Sequence, residues 1–218
     1  PEEREQQANI RKFWDDLVWE SKETDARLIT VKKKFTEITN SQIKDFGSGL
    51  REFAERFKES GPGAVGGDLE KGLELMKLYR EELAKIEAER QDLGAAEKLF
   101  DLDITVYPEL HSVQKDMKAF ELIYAIYEEQ KKSREIWAET LWKDLNVSVL
   151  TDGIEGLLKS LRKLPRDVKN IPVGRVLDEK MREFRDALPL FMDLKHEALR
   201  ERHWKQLMEQ TGQKFDIN

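Results

Sequence analysis

The sequence has 218 residues, 39% of them hydrophobic and 38% charged, with a net charge of −6 and no cysteine. That length allows one large or two small domains with a sizeable core, and the charge fraction, far above the usual quarter or so, is the composition of long exposed helices. The acidic, interleaved charge speaks against a nucleic-acid role, the missing cysteine excludes disulfides and thiolate metal sites, and no apolar run approaches the ~18 residues of a membrane span.

In chain order, Ile10, Trp14, Leu17, Ser21, Thr24, Leu28, Val31, Phe35 and Ile38 alternate in steps of four and three. This predicts a first helix with a coiled-coil-like seam, softened at Ser21 and Thr24. Lys32, Lys33 and Lys34 read as its solvated face. Gly47 and Gly49 are expected to interrupt it, with a short helix following that turns Leu50, Phe53 and Phe57 inward. Gly61, Gly63 and Gly66 spell G-x-G-x-x-G. A dinucleotide fingerprint needs a strand before it, whereas FAERFKES is helical and Pro62 stiffens the turn, so a flexible interhelix loop is expected.

Asp68 is placed to cap a second helix, whose Leu69, Gly72, Met76, Tyr79, Leu83, Ile86, Arg90 and Leu93 again step three and four. The two long helices predict an antiparallel hairpin. Residues 94–108 read as an extended hinge. Pro108 opens a third helix with Leu110, Val113, Met117, Phe120, Tyr124 and Tyr127 on its seam. Ile123, Ile126, Trp137, Leu141 and Trp142 widen its apolar face. NVSVLTDG (146–153), which contains a sequon, is expected to break this helix.

Ile154, Leu157, Leu158 and Leu161 then form a short helix ending at Pro165. Basic residues outnumber acidic ones from Lys159 to Arg182, which reads as ordinary surface before an acidic-partner contact. Finally, residues 188–211 predict one helix opening at Pro189 and stopped by Gly212. Its two apolar stripes, Leu190, Phe191, Leu194, Ala198, Trp204 and Met208 against Met192, Leu199, His203 and Leu207, place it inside a bundle.

Catalytic chemistry finds no support. His196 and His203 lie about 10 Å apart along a helix, too far for one metal ion, and His111 stands alone. With no nucleophile–base pair in view, neither a catalytic site nor a cofactor is expected. Together the periodicities predict an all-α fold, an elongated antiparallel helical bundle with heptad-like seams. A helical hairpin over 1–92 and a bundle over 93–218 are its expected domains.

Several motifs go further. LFDLDITVYPEL at 99–110, the Trp137/Trp142 spacing, LRKLP at 161–165 and LPLFMDLKHEALRERHWKQLM at 188–208 resemble dynein heavy chains. The last is similar to the R-H-W signature of the N-terminal part of the linker, here Arg202, His203 and Trp204. GQKFDIN after it looks axonemal, and the sequence is expected to be a fragment.

The resemblance implies a non-catalytic mechanical segment joining tail to linker. The ATPase ring would lie C-terminal to it, intermediate and light chains or a neighbouring heavy chain would meet the tail, and no nucleic acid or membrane would be bound. Compliance would sit in the 61–67 loop and the 94–108 connector. The expected structural lock is Trp204, flanked by His203, on a face of Tyr124, Tyr127 and Trp137. Rival readings are a spectrin-like scaffold, against which the lack of matching repeats speaks, and a curved membrane-binding dimer, which would want a concentrated basic face.

Overall fold

Helix-forming composition and well-placed caps account for most of the architecture. A computed structural model describes residues 2–214, in which seven helices and no strand are found. They are α1 (Glu2–Ser60), α2 (Leu69–Leu99), α3 (Pro108–Glu139), α4 (Val147–Lys163), α5 (Arg166–Lys169), α6 (Pro172–Leu194) and α7 (Glu201–Thr211). The fold is the expected all-α bundle. The last four residues of GQKFDIN lie outside the described residues.

The chain divides into two compact units, Pro1–Phe53 with Glu82–Leu110, and Ala54–Glu81 with His111–Asn218. Each draws on separate stretches of sequence, because the arms of a helical hairpin are far apart along the chain. A single cut near residue 92 therefore does not describe them.

In the first unit, Phe46, Leu50 and Phe53 of α1 are buried, as are Leu83 and Leu93 of α2 and Tyr107 after it. Phe46 meets Tyr107 edge-on at 4.9 Å, and Phe35 stacks on Phe100 at 5.9 Å. The expected interruption at Gly47 and Gly49 does not occur. α1 runs through both, since burying Phe46, Leu50 and Phe53 outweighs the ~1 kcal/mol that each helical glycine costs. Toward the N-terminus the predicted seam is present but uncovered: Trp14 is 65% exposed and Leu28 58%.

α2 likewise continues past Gly94 to Leu99, so the hinge starts later than expected. It ends in a Schellman motif. The Leu102 amide donates to Glu97 O at 2.8 Å and the Asp101 amide to Lys98 O at 3.4 Å, with Asp101 left-handed at φ 55°. The connector that follows is extended, as expected, but tied down. Glu97, fully buried, accepts from the Thr105 amide at 2.9 Å. Arg90 donates to Thr105 O at 2.7 Å, approaches Glu97 Oε2 at 3.5 Å and lies over the Tyr107 ring. A compliant connector does not fit this clasp. Burial, and next the Glu97 charge, push the Tyr107 hydroxyl up.

In the second unit the glycine-rich turn is pinned as well, contrary to a flexible loop. Pro62 is almost fully buried, and Lys180 donates to Gly67 O at 2.6 Å. A Cβ on Gly63 would stand 2.5 Å from the Phe120 ring, and Gly66 takes φ 59°. These glycines serve close packing and a turn. Asp68 caps α2 as predicted, its carboxylate accepting from the Lys71 amide at 3.0 Å.

The core comprises Phe57, Leu69, Met76 and Tyr79, then Val113, Met117, Phe120, Ile123 and Ile126 of α3, with the apolar faces of α4 and α6. Gly174 of α6 lets Ile123 approach closely: a Cβ there would lie 3.3 Å from Ile123 Cδ1.

Three boundaries differ from expectation. α3 stops at Glu139, and the break covers 140–146 rather than NVSVLTDG. Asn146, the sequon asparagine, accepts from the Ser148 amide at 3.0 Å and so starts α4 at Val147. Pro189 lies inside α6 rather than opening a helix, because Leu188 beside it is held in the core at 2% exposure. The predicted 188–211 helix is also divided at 195–200, and α7 buries no residue completely. Its interior placement therefore fails. Leu190 and Met192 are 61% and 62% exposed, because the charged residues between the stripes leave only a narrow apolar edge to pack.

Candidate functional site

Three polar and aromatic features on α3 and its neighbours hold the second unit together. The first centres on Tyr124, 2% exposed, whose hydroxyl donates to Pro62 O at 2.7 Å. That hydroxyl fills the space where a side chain on Gly72 would begin. Thus the turn and the first coil of α2 are both keyed to one phenol. Burial is the main reason that this phenol is pushed up to about 12.

One turn along α3, Tyr127 packs edge-on to Tyr124 at 6.5 Å and donates to Glu70 Oε2 at 3.0 Å. Lys131 pairs with the other Glu70 oxygen. Its ammonium, and then the Tyr127 hydroxyl, hold the Glu70 carboxyl below the usual carboxylate range. The same pair lifts Lys131, through its hydrogen bond to Glu70 first. Tyr127 is lifted by burial and then by Glu70.

The third feature is a chain of rings. Trp137 stacks on Phe184 of α6 at 5.6 Å with the planes 4° apart. Trp142 meets Phe191 edge-on at 6.1 Å and Trp204 of α7 edge-on at 6.2 Å. Lys195, at the end of α6, lies over Trp142 and donates to the Leu145 and Lys143 carbonyls. Two carbonyls of the 140–146 break are thus satisfied by the end of α6. Trp137, Trp142, Phe184 and Phe191 line an open cleft of about 670 Å³ together with Lys131, Arg134 and Gln130.

Of the six residues singled out from sequence, Tyr124 and Tyr127 share a face, while Trp137 faces Phe184. Trp204 packs edge-on to Trp142, a ring outside the expected lock on Tyr124, Tyr127 and Trp137. The break at 140–146 carries Trp142 away from the α3 seam and toward α7. Arg202 and His203 act locally. His203 Nδ1 accepts from the Arg200 amide at 3.1 Å, closing the first turn of α7. That bond leaves any single ring proton on Nε2, so the 3.1 Å approach of Arg202 Nε to Nε2 is a contact and not a second accepted bond.

Sequence reading named Gly72 only as a seam position and did not single out Glu97 or Lys195. For Gly72 the signal was a glycine at a seam position; for Lys195 there was none. No group of metal-ligating side chains occurs among the described residues, and no helix there is long and apolar enough to cross a membrane.

The three features described above are packing and hydrogen-bonding devices of a helical module. Comparison with known proteins defines that class. Residues 110–218 match the family "Dynein heavy chain, N-terminal region 2", and the chain belongs to the dynein heavy chains.

The chain is 48% identical over 215 residues to human dynein axonemal heavy chain 10, covering 99% of this chain and 5% of that protein. It is 37% identical over 225 residues to the dynein-1-alpha heavy chain of the flagellar inner arm I1 complex of Chlamydomonas reinhardtii, covering 100% and 5%. Mouse dynein axonemal heavy chain 8 is 23% identical over 216 residues, covering 99% and 5%. The chain thus spans about one twentieth of these relatives' length. The LFDLDITVYPEL motif lies almost wholly before the family match, which begins at Leu110.

Proposed function

We propose that this chain is the non-catalytic segment of an axonemal dynein heavy chain in which tail helices join the N-terminal part of the linker. It carries the force of an ATP-driven stroke generated in a ring farther along the same heavy chain. Its place is the axoneme of cilia and flagella. Intermediate or light chains, or a neighbouring heavy chain, meet the helices on the tail side, where the uncovered α1 seam from Ile10 to Val31 is available.

The observation that carries this reading is the lock on Tyr124. Residues 54–81 precede the family match, yet Tyr124 within the match holds both Pro62 and Gly72 of that stretch. A buried hydroxyl bonded to a carbonyl and seated against a helix backbone resists relative sliding. A segment that transmits force needs such a contact between what comes before the linker and the linker itself.

The test is a complete heavy chain carrying Tyr124→Ala, assembled into its dynein and assayed for microtubule gliding and for ATP turnover. Loosening the lock should slow gliding several-fold while basal ATP turnover is retained. Unchanged gliding, with the lock shown by hydrogen exchange to be open, would overturn the reading. Loss of ATP turnover in step with gliding would also count against it, since the segment would then serve the catalytic ring itself.

A further inference from the structure

An overall charge of −6 conceals one strongly positive end. Between Lys159 and Arg175 the chain carries six cations, Lys159, Arg162, Lys163, Arg166, Lys169 and Arg175, against a single carboxylate, Asp167, a local balance of +5. These residues occupy the end of α4, the short α5 and the start of α6, which pack together in the second unit. All but the half-buried Lys169 are exposed.

Elsewhere cations are often paired. Lys32 has Asp101, Arg80 has Glu121, Lys131 has Glu70 and Arg182 has Asp178. None of the six has an ion-pair partner among the described residues.

Helix electrostatics explains part of the cluster. Arg162 and Lys163 sit in the last turn of α4, where cations are favourable. It does not explain Arg175 close to the start of α6, whose first turn holds no acidic residue. Positive charge at that end is unfavourable by the same rule. Six cations gathered around a single carboxylate, with no ion pair of their own among the described residues, form a surface suited to an acidic partner. The surface is concave: Leu161, Arg162, Lys169, Asn170 and Arg175 line one end of a groove of about 490 Å³ between α4 and α6.

We propose that this end of the second unit docks an acidic polypeptide segment, its Asp and Glu carboxylates bridging Arg162, Arg166 and Arg175. Charge complementarity names the partner's chemistry, and the surroundings select a polypeptide over other polyanions. The far end of the groove carries Asp178, Glu179, Glu183 and Asp186 beside Arg182, so a bound acidic segment is confined to the basic end. No aromatic side chain stands among 159–175 to stack a base. Nor does a large exposed apolar side chain stand there to enter a lipid surface. Arginine forks suit carboxylates in bidentate geometry. The contact is independent of the mechanical role proposed above.

Fluorescence anisotropy of a fluorescein-labelled poly-glutamate peptide titrated with the 218-residue chain tests the proposal. Saturable binding that weakens with salt is expected. The triple charge reversal Arg162→Glu, Arg166→Glu, Arg175→Glu should weaken it about tenfold or more, while Lys33→Glu with Lys34→Glu on α1 should leave it unchanged. The reversed side chains are exposed, so circular dichroism should match the parent chain. The proposal is overturned if the peptide does not bind, or if both charge reversals weaken binding equally. Tighter capture of polyuridylate RNA or phosphatidylserine vesicles than of the peptide at the same ionic strength would overturn it too.

Discussion

The hydroxyl of Tyr124 stands where the side chain of Gly72 would begin, and it is held there by its bond to Pro62 O. Glycine at 72 is therefore a clearance, although it sits inside a helix where alanine would be favoured by about 1 kcal/mol. Gly72→Ala should destabilise the chain by about 1–3 kcal/mol, because the displaced phenol cannot move without leaving Pro62. Gly156→Ala, also within a helix but with open space at its Cβ, should stabilise by up to about 1 kcal/mol. Urea melts of the two variants check the contrast, and equal effects in the same direction would refute the clearance.

Tyr124 also makes stability depend on alkaline pH. Its folded value of about 12 lies above the usual phenol value, mainly through burial. Below pH ~10 the phenol is neutral in both states and its contribution is fully present. Between ~10 and ~12 only the unfolded chain ionises, so this contribution is lost as pH rises. The whole span corresponds to about 2–3 kcal/mol. Tyr124→Phe should be less stable at neutral pH by about 1–2 kcal/mol, since Pro62 O loses its donor, and its stability should fall less steeply above pH ~10. Parallel pH profiles for the two proteins would contradict this assignment.

The periodic parts of the fold were legible because burial enforces period. The α3 seam from Leu110 to Tyr124 is buried almost as it was read, and Asp68 caps α2 where its sequence position indicated. What misled was glycine and proline read as punctuation. Gly47, Gly94 and Pro189 all lie within helices. Gly94 leaves room for Arg90, whose Nη1 would stand 2.6 Å from a Cβ there, and so allows the turn toward Glu97. Such clearances depend on partners that local sequence does not announce. Of the site, the face shared by Tyr124 and Tyr127 was readable; the ring beside Trp204 was not, because Trp142 lies in the helix break at 140–146.

Glu97 offers a sharper test of the connector. It is fully buried, accepts the Thr105 amide and faces Arg90. Glu97→Ala leaves Arg90 without its carboxylate and the Thr105 amide without its acceptor, and should cost about 3–5 kcal/mol. Glu97→Gln keeps an acceptor for Thr105 and should cost less. Hydrogen exchange at the Thr105 amide separates the two, being fast in the alanine variant and slow in the glutamine variant. Slow exchange in both would show that the connector is held by something other than this clasp.

Trp204 and Trp142 meet edge-on at 6.2 Å, and both rings are only half-buried. A fully buried tryptophan would cost ~3–5 kcal/mol on truncation, whereas Trp204→Ala here should cost about 1–2 kcal/mol, in proportion to the partial burial. Trp142 should cost more, because it also touches Phe191 and underlies Lys195. The two losses should not add. The contact between the rings accounts for a coupling of about 0.5–1.5 kcal/mol in a double-mutant cycle. Trp137→Ala serves as the contrast: Trp137 faces Phe184, so its loss should add to that of Trp204 within about 0.5 kcal/mol. Denaturant melts of the single and double variants measure all of these values. Coupling of Trp204 to Trp137 with none to Trp142 would mean that α7 docks on the α3 face instead of on the 140–146 break.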